Sequence, residues 1–239
     1  MEVNLIINCD LGENEPPTLT AKLMPWIDAA NIACGGHAGS KDSMKRCLDL
    51  CLEHSVFPGA HPGIDAEFGR GTSLPRPKEF SELLNQQWND LSQVAEKIGT
   101  KLHHIKLHGS LYHAVENDSA FQEIYIDFLA NQAVSPVVLS RSGGMFAQRC
   151  KDHRLPVWEE LFADRAYLED GQLAPRNQEN AIIHDPSEVG ERISDWLSNH
   201  SMKTINGNSI TLSGQTLCVH SDSPQSLEIA RKLNALINS

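Results

Sequence analysis

The chain has 239 residues, of which 40% are hydrophobic and 21% charged, a composition that suits a soluble globular protein. Its formal net charge of −11 argues against nucleic acid and anionic membrane surfaces as partners, because both would repel it. No apolar run approaches the roughly 18 residues of a membrane span, and the acidic start of the chain does not resemble a signal peptide.

The hydrophobic pattern predicts strands that alternate with helices along the chain. Strands are expected at Val3–Asp10, Asn31–Cys34, Val56–His61, Leu102–Gly109, Ser135–Leu139, Leu155–Glu160 and Gln215–His220. Helices are expected at Asp42–His54, Phe80–Ile98, Ala120–Gln132, Gly143–Asp152, Pro186–Leu197 and Leu227–Ile237, with a shorter one within Thr20–Ala30. The polar stretch Phe162–Ile183 is predicted to be an irregular excursion.

The alternation of about seven strands with helices predicts a parallel sheet, and the lack of a low-complexity linker predicts one domain over residues 1–239. Polar residues after successive strands favour a closed (β/α) barrel, whose chemistry collects at the carboxyl ends of its strands. An open doubly wound sheet is the alternative. Neither a GxGxxG nor a P-loop motif is present, which argues against dinucleotide binding and a P-loop ATPase.

The cysteines are scattered through the chain and form no CxxC pair. They are Cys9, Cys34, Cys47, Cys51, Cys150 and Cys218. Their spacing does not suit a zinc–thiolate site. Because no export signal is evident, we expect reduced thiols that pack as small hydrophobic groups in a cytoplasmic protein.

Polar side chains recur at the ends of the predicted strands. Because the carboxyl ends of parallel strands meet at one rim, we expect these residues to converge there: Asn8, Asp10, Glu13, His37, His61, Lys106, His108, His220 and Asp222. One interpretation is a divalent metal bound by Asp10, His37 and His61. The other is a metal-free site with Asp10 or Asp222 as base, Lys106 as electrostatic clamp and a histidine as proton shuttle.

Purely structural interpretations stand beside these. A single histidine at a strand end commonly caps or packs, and Lys106 could reach solvent along an apolar strand. Asp164 and Arg165 could form a surface ion pair of little energetic value. The repetition of histidine after four strands favours a shared site.

Short motifs stand in a fixed order along nearly the whole chain: Asn8–Glu13, Ala30–Gly39, Gly59–Pro62 with Phe68–Arg70, Lys106–Tyr112, Glu160–Tyr167, Gly171–Leu173 with Arg176, and Cys218–His220. In these motifs the chain resembles the LamB/YcsF family, whose characterised members are the A-subunits of the bacterial 5-oxoprolinase. The resemblance implies an irregular seven-stranded (β/α) barrel, TIM-like and related to polysaccharide deacetylases. It also implies ATP-dependent opening of the 5-oxoproline lactam to L-glutamate, with ATP and Mg²⁺ as cofactors and 5-oxoprolinase subunits B and C as partners.

The resemblance also assigns roles to residues. The catalytic set is Asp10, His37, His61, Lys106, His108 and Asp222. The substrate-binding set is Asn8, Glu13, Arg70, Tyr112, Asp164, Arg165 and His220. Any bound divalent metal is assigned to Asp10, His37 and His61, and this set keeps a metal-dependent deacetylase or carbohydrate hydrolase open as an alternative function.

The chain departs from the family's usual motifs at positions around the expected rim. Ile6 and Ser40 stand where the family usually has aspartates, Leu107 replaces a proline, and Ser221 replaces a glycine. Two carboxylates are therefore lost, which leaves open a binding paralogue without catalysis.

Overall fold

Seven parallel strands close into a barrel in the computed structural model, which describes residues 5–65 and 73–238. The strands of the barrel are β1 (Ile6–Leu11), β2 (Ala29–Ala33), β3 (Phe57–His61), β4 (His104–Ile105), β5 (Val137–Arg141), β6 (Val157–Phe162) and β9 (Thr216–His220). Two further strands, β7 (Ser201–Lys203) and β8 (Ser209–Thr211), form a separate pair. Each barrel strand pairs with the next, and β9 closes the ring between β6 and β1. The predicted seven-stranded (β/α) barrel is thus confirmed and the open sheet is excluded, whereas a single domain over residues 1–239 stays a prediction.

Helices cover the outside of the barrel. They are α1 (Pro17–Leu23), α2 (Lys41–His54), α3 (Pro77–Lys97), α4 (Gly109–Asn117), α5 (Ser119–Ala130), α6 (Met145–Asp152), α7 (Pro186–Asn199) and α8 (Ser226–Ile237). A short 3₁₀ helix, Met24–Trp26, follows α1. The six longer predicted helices are confirmed within about three residues at each end. Over residues 5–65 and 73–238, no helix combines the length and apolar character needed to cross a bilayer.

Strand β1 contributes apolar side chains to the hydrophobic core and polar side chains to the interior of the barrel. Ile7, Cys9 and Leu11 are buried in the hydrophobic core, while Asn8 and Asp10 contact polar groups inside the barrel. Successive side chains of a strand point to opposite faces, so one strand supplies both the apolar shell and the polar interior.

The apolar core lies between the barrel and its helices, where Trp196, Tyr125 and Phe80 are among the largest fully buried side chains. All six cysteines are buried and free. Cys9 and Cys34 pack in the hydrophobic core as predicted, whereas Cys218 also contacts the ammonium of Lys106.

The predicted strand Leu102–Gly109 is longer than the observed one. Only His104–Ile105 pairs as β4, and the chain then runs to Gly109, where α4 begins. Helix α4 was not predicted, although Leu111, Tyr112 and Val115 follow helical spacing and are buried. No side-chain cap precedes α4, so the usual sequence signal for the start of a helix is missing.

A second difference lies between α7 and β9. There β7 (Ser201–Lys203) and β8 (Ser209–Thr211) form an antiparallel pair that was not predicted. The connecting loop contains Asn206–Gly207, and Gly207 has φ +84°, a conformation that favours glycine. Such an Asn-Gly pair is a hairpin signal, but three-residue strands carry too little alternation to be recognised.

Candidate active site

The lowest polar layer inside the barrel, which we call the floor network, consists of Asn8, Asn31, His104 and Thr216. Asn8 Nδ2 donates to Thr216 Oγ1 at 2.8 Å, and Asn31 Nδ2 donates to Asn8 Oδ1 at 2.7 Å. His104 Nε2 lies 2.9 Å from Asn31 Oδ1. All four residues are buried, so these bonds satisfy polar groups that water does not reach.

The ring of His104 fits only because β3 carries glycine opposite it. A Cβ atom on Gly59 would stand 2.1 Å from His104 Nε2. Burial, reinforced by the charges of His103 and Lys106, holds the pKa of His104 well below its usual value. His104 is therefore a neutral structural histidine, and neither it nor Asn31 was predicted as part of the interior.

Above the floor lies the Lys106 group, formed by Asp10, Lys106, Glu160 and Cys218. The Lys106 ammonium lies 3.0 Å from Asp10 Oδ1, 2.9 Å from Glu160 Oε1 and 3.0 Å from Cys218 Sγ. Lys106 is only 3% exposed, so the interpretation of a lysine reaching solvent is wrong.

Mutual pairing keeps Asp10 and Lys106 charged. Burial alone would raise the pKa of Asp10, but its interactions with His61 and Lys106 outweigh burial and hold the pKa well below its usual value. Burial would lower the pKa of Lys106, but Asp10, Cys218 and Glu160 raise it well above normal. The barrel thus holds an ionised carboxylate against a fixed ammonium.

Glu160 is the main member of the site that was not predicted. It lies within β6, fully buried, and Tyr112 Oη donates to its Oε2 at 2.9 Å. A glutamate at the end of the predicted apolar strand was the available signal, because a buried carboxylate needs a cation or hydrogen-bond donors. Tyr112, predicted to bind substrate, thus positions Glu160 from α4.

The rim carries a second group, the Glu13–histidine cluster of Glu13, His37, His61 and His108. Glu13 Oε1 lies 2.9 Å from His37 Nε2, 3.5 Å from His61 Nε2 and 3.2 Å from His108 Nδ1. His108 Nδ1 is also 2.9 Å from His61 Nε2. Three residues predicted to be catalytic therefore meet one predicted to bind substrate.

Ring packing and hydrogen bonds fix the orientation of the cluster. The rings of His37 and His108 stack with centroids 3.7 Å apart. Burial lowers the pKa of His37 to about 4. Burial would raise the pKa of Glu13, but hydrogen bonds from His108 and His37 bring it well below its usual value. The histidines thus face a carboxylate that stays ionised.

The Asp10 carboxylate links the two groups, since its Oδ2 lies 3.4 Å from His61 Nε2. Two sets of possible metal ligands surround it. One is Glu13, His37, His61 and His108, and the other is Asp10, Cys218 and His220. Of the predicted metal ligands, His37 and His61 belong to the first set and Asp10 belongs to the second. In the first set, Glu13 is the carboxylate beside the histidines.

Asp164 and His220 form a pair beside the Lys106 group. His220 Nδ1 lies 2.8 Å from Asp164 Oδ1, and the His220 backbone N–H donates to Asp164 Oδ2 at 3.1 Å. Arg165 is also buried and donates to the carbonyl oxygens of Ala174 and Ala181. The interpretation of Asp164 and Arg165 as a surface ion pair is therefore wrong, because both side chains are buried.

A first cavity of about 470 Å³ opens above the Lys106 group. Its polar lining includes Asp10, His61, Lys106, His108, Tyr112, His113, Arg165, Arg176 and His220. The pKa of His113 is lowered by burial and by the nearby charges of Arg165, Arg141 and Arg176, so this wall of the cavity is electropositive. The volume and lining suit a small anionic ligand.

A second cavity, of about 410 Å³, lies on the other side of His108, which lines both. Glu13, His37 and Asp222 also line it. Asp222 is half-exposed and accepts from Arg176 Nη1 at 3.1 Å, so it lies at the mouth of the site and outside both buried groups.

Ser40 and Ser221, two positions where the chain departs from the family's usual motifs, lie outside both buried groups. Ser40 is the exposed N-cap of α2 and forms a capping box with Ser43, so it has no part in the buried groups. Ser221 Oγ donates to the Asp10 carbonyl oxygen at 2.7 Å and supports β1. Arg70 lies outside the described residues, and its role stays a prediction.

The sequence matches the LamB/YcsF family over residues 5–239. A protein from Syntrophobacter fumaroxidans, named as the A-subunit of 5-oxoprolinase, is 36% identical over 238 residues, covering 98% of this chain and 94% of that protein. A protein of the same name from Pyrococcus abyssi is 34% identical over 236 residues, covering 97% and 92%.

Solved structures show the same architecture. The crystal structure of a lactam utilization protein from Thermus thermophilus superposes with a TM-score of 0.88 at 28% identity, covering 98% of this chain and 96% of that one. A family 4 carbohydrate esterase from Streptomyces lividans, with a TM-score of 0.50 and 8% identity over 98% of this chain and 87% of that one, shares the fold alone. From the match over almost its full length, the chain belongs to the LamB/YcsF family.

Proposed function

We propose that this chain is the A-subunit of a 5-oxoprolinase that uses ATP, supplied with Mg²⁺, to open 5-oxoproline to L-glutamate together with subunits B and C. The observation that carries the proposal is the buried Asp10–Lys106 pair beneath a small electropositive cavity, in a chain whose relatives bear that name. The buried, free cysteines are consistent with a cytoplasmic complex.

The first cavity is large enough for 5-oxoproline, and its lining suits the charge of the substrate. The substrate carries one carboxylate and one neutral lactam, and the cavity is lined by Arg165, Arg176 and Lys106. In our proposal the carboxylate faces Arg165 and Arg176, and the lactam carbonyl faces Lys106. Arginine suits this task because its planar fork matches a carboxylate.

The chemistry explains why ATP is needed. A five-membered lactam is a poor electrophile, and phosphorylation of its carbonyl oxygen makes attack by water feasible. Water then adds to the ring carbon, the C–N bond breaks, the nitrogen takes up a proton, and a second water releases phosphate from the acyl group. Lys106 would stabilise negative charge on the oxygen, Asp10 would accept the proton of water, and His108 or His220 would protonate the nitrogen. Because the chain has no P-loop, the nucleotide is held either without that motif or by one of the partners.

The test is reconstitution. The chain is co-purified with subunits B and C, supplied with MgATP and 5-oxoproline, and assayed for glutamate and ADP in equal amounts. Asp10→Asn should reduce turnover by about 10²–10⁴-fold, the range for loss of a general base. Asp49→Asn, an exposed aspartate of α2 paired with Lys45, is the matched control and should retain full activity. An intact three-subunit complex that forms no glutamate would contradict the proposal and favour the non-catalytic paralogue.

A second candidate function is a metal-dependent deacetylase or carbohydrate hydrolase. The observation that favours it is the Glu13–histidine cluster next to the first cavity. This candidate predicts release of acetate from acetylated sugars by the isolated chain, without ATP, and loss of that activity with a chelator. Activity that needs ATP and the partner subunits would argue against it.

A further inference from the structure

The Glu13–histidine cluster brings together donor atoms of the type that transition metals prefer. The atoms are Glu13 Oε1, His37 Nε2, His61 Nε2 and His108 Nδ1, and all lie within 4.8 Å of one another. In a tetrahedral site with metal–ligand bonds of about 2.0–2.1 Å, ligand atoms are about 3.3–3.4 Å apart. Four of the six distances between these atoms run from 2.9 to 3.5 Å. The rings of His37 and His108 stack almost parallel with centroids 3.7 Å apart, so binding of a cation would require these two rings to turn apart.

Hydrogen bonding at His61 prepares this arrangement. Its Nδ1 lies 2.8 Å from the backbone carbonyl oxygen of Lys106, and because a carbonyl oxygen only accepts, Nδ1 carries the hydrogen. In the neutral ring, Nε2 therefore directs its lone pair at the cluster. A backbone carbonyl that fixes the tautomer of a histidine in this way is a regular feature of metal sites.

His37 meets the cluster through its Nε2 atom. Its Nδ1 is buried, and among the described residues no group forms a hydrogen bond with it. The ring is instead held by stacking on His108 and by the contact of Nε2 with Glu13. The polar atom of His37 that has a role in the structure is thus the one inside the cluster.

The charge around the cluster and the access to it also suit a cation. Glu13 supplies one negative charge directly, and Asp10 adds a second at 3.4 Å from His61 Nε2. Glu13, His37 and His108 line the second cavity, which gives a cation a route to the cluster. Asp10 itself is held by Lys106, so Glu13 is better placed as the ligand carboxylate.

We propose that the Glu13–histidine cluster binds one divalent transition-metal cation, with the donor set of Zn²⁺, through Glu13, His37, His61 and His108. Three imidazoles disfavour Mg²⁺, which prefers oxygen ligands, so the site is distinct from the magnesium that accompanies ATP. The cation polarises or holds a group in the space next to His108, between the two cavities. This binding is independent of the 5-oxoprolinase proposal.

The test uses the full chain without a polyhistidine tag, stripped with a chelator and then dialysed. Titration calorimetry with Zn²⁺ should show one site per chain, and the melting temperature should rise with Zn²⁺ concentration but not with Mg²⁺. Co²⁺ should give the intense visible absorption of tetrahedral coordination. Glu13→Gln and His37→Gln should each weaken Zn²⁺ binding by at least about tenfold.

The control is His220→Gln, which disrupts the other ligand set, Asp10 with Cys218 and His220, and should leave Zn²⁺ affinity unchanged. Circular dichroism of the metal-free variants checks their folding, and Glu13→Gln, which keeps the side-chain shape, decides the case if His37→Gln does not fold. The proposal is overturned if the wild-type chain binds neither Zn²⁺ nor Co²⁺, or if binding follows His220 instead of Glu13. Because the readouts involve neither ATP nor 5-oxoproline, a metal-free complex that forms glutamate would leave the proposed function intact.

Discussion

The Lys106 group and the Glu13–histidine cluster are two buried polar groups that share the contact between Asp10 and His61, yet they are built from different parts of the fold. The members of the Lys106 group come from β1, β6, β9 and the segment just after β4. In the cluster, only His61 lies on a strand, while Glu13, His37 and His108 follow the strand ends.

The two groups also differ in charge. In the Lys106 group, one ammonium contacts the carboxylates of Asp10 and Glu160, so opposite charges already meet without a ligand. In the cluster, three imidazole nitrogens lie within 4.8 Å of one carboxylate oxygen, and the cation that we propose would lie among them. Strand residues thus supply most of the paired charges, whereas residues that follow the strand ends supply most of the donor atoms of the proposed cation site.

The largest expected effect comes from removing the cation of the Lys106 group. Lys106→Met leaves two buried carboxylates without a counter-charge and should lower the free energy of unfolding by about 3–5 kcal/mol. Glutamate formation by the reconstituted complex should fall by at least about 10²-fold. Urea unfolding and the coupled assay measure both effects. The control, Lys45→Met, removes an exposed ammonium and should change stability by less than about 1 kcal/mol. A Lys106→Met variant as stable as the wild type would show that the charges are not paired as described.

The next effect tests the floor network that supports the Lys106 group. Gly59→Ala places a methyl group against the ring of His104 and should destabilise the protein by about 1–3 kcal/mol. Combining it with His104→Ala removes the clash, so the two changes should be less than additive in urea unfolding. Simple additivity would show that the ring moves aside freely.

A pH effect tests the neutral state of His104, and His37, whose pKa burial also lowers, contributes in the same direction. Burial keeps His104 neutral in the folded state, whereas the unfolded chain binds a proton below about pH 6.5. Stability is therefore fully retained above about pH 6.5 and falls as the pH decreases below it, by up to about 1.4 kcal/mol per pH unit for this residue. His104→Gln should reduce the slope of unfolding free energy against pH between about 6.5 and 5. An unchanged slope would place the titrating groups elsewhere.

The smallest effect concerns the turn that carries His37 into the cluster. Ser40→Ala removes the side-chain cap of α2 and should cost about 1 kcal/mol, while Ser40→Asp should retain the cap. Neither variant should change glutamate formation, because Ser40 is exposed and caps α2. Thermal melts and the coupled assay check this. A gain of activity in Ser40→Asp would instead show that the missing carboxylate belongs to the site.

Much of the site could be predicted from local sequence, because parallel strands bring their carboxyl ends together. Asp10, His61, Lys106 and His108 were expected at one rim and do converge there. The partner of Lys106 at Glu160 was not predicted, because β4 and β6 are separated by β5 and a whole α/β unit, and only barrel closure brings their interiors together.

Local sequence patterns predicted the alternation of strands and helices and the polar residues that end the strands, and the family resemblance implied the closed barrel, while periodicity alone left an open sheet as the alternative. These features follow from hydrophobic periodicity and from the motifs, which are local properties of the chain. The pairing of individual side-chain atoms in the site, by contrast, is set by the folded chain. The closed barrel placed Glu13 among the three histidines and paired Asp10 with Lys106. Such pairings depend on strand register and loop paths across the barrel, which distances along the sequence do not encode.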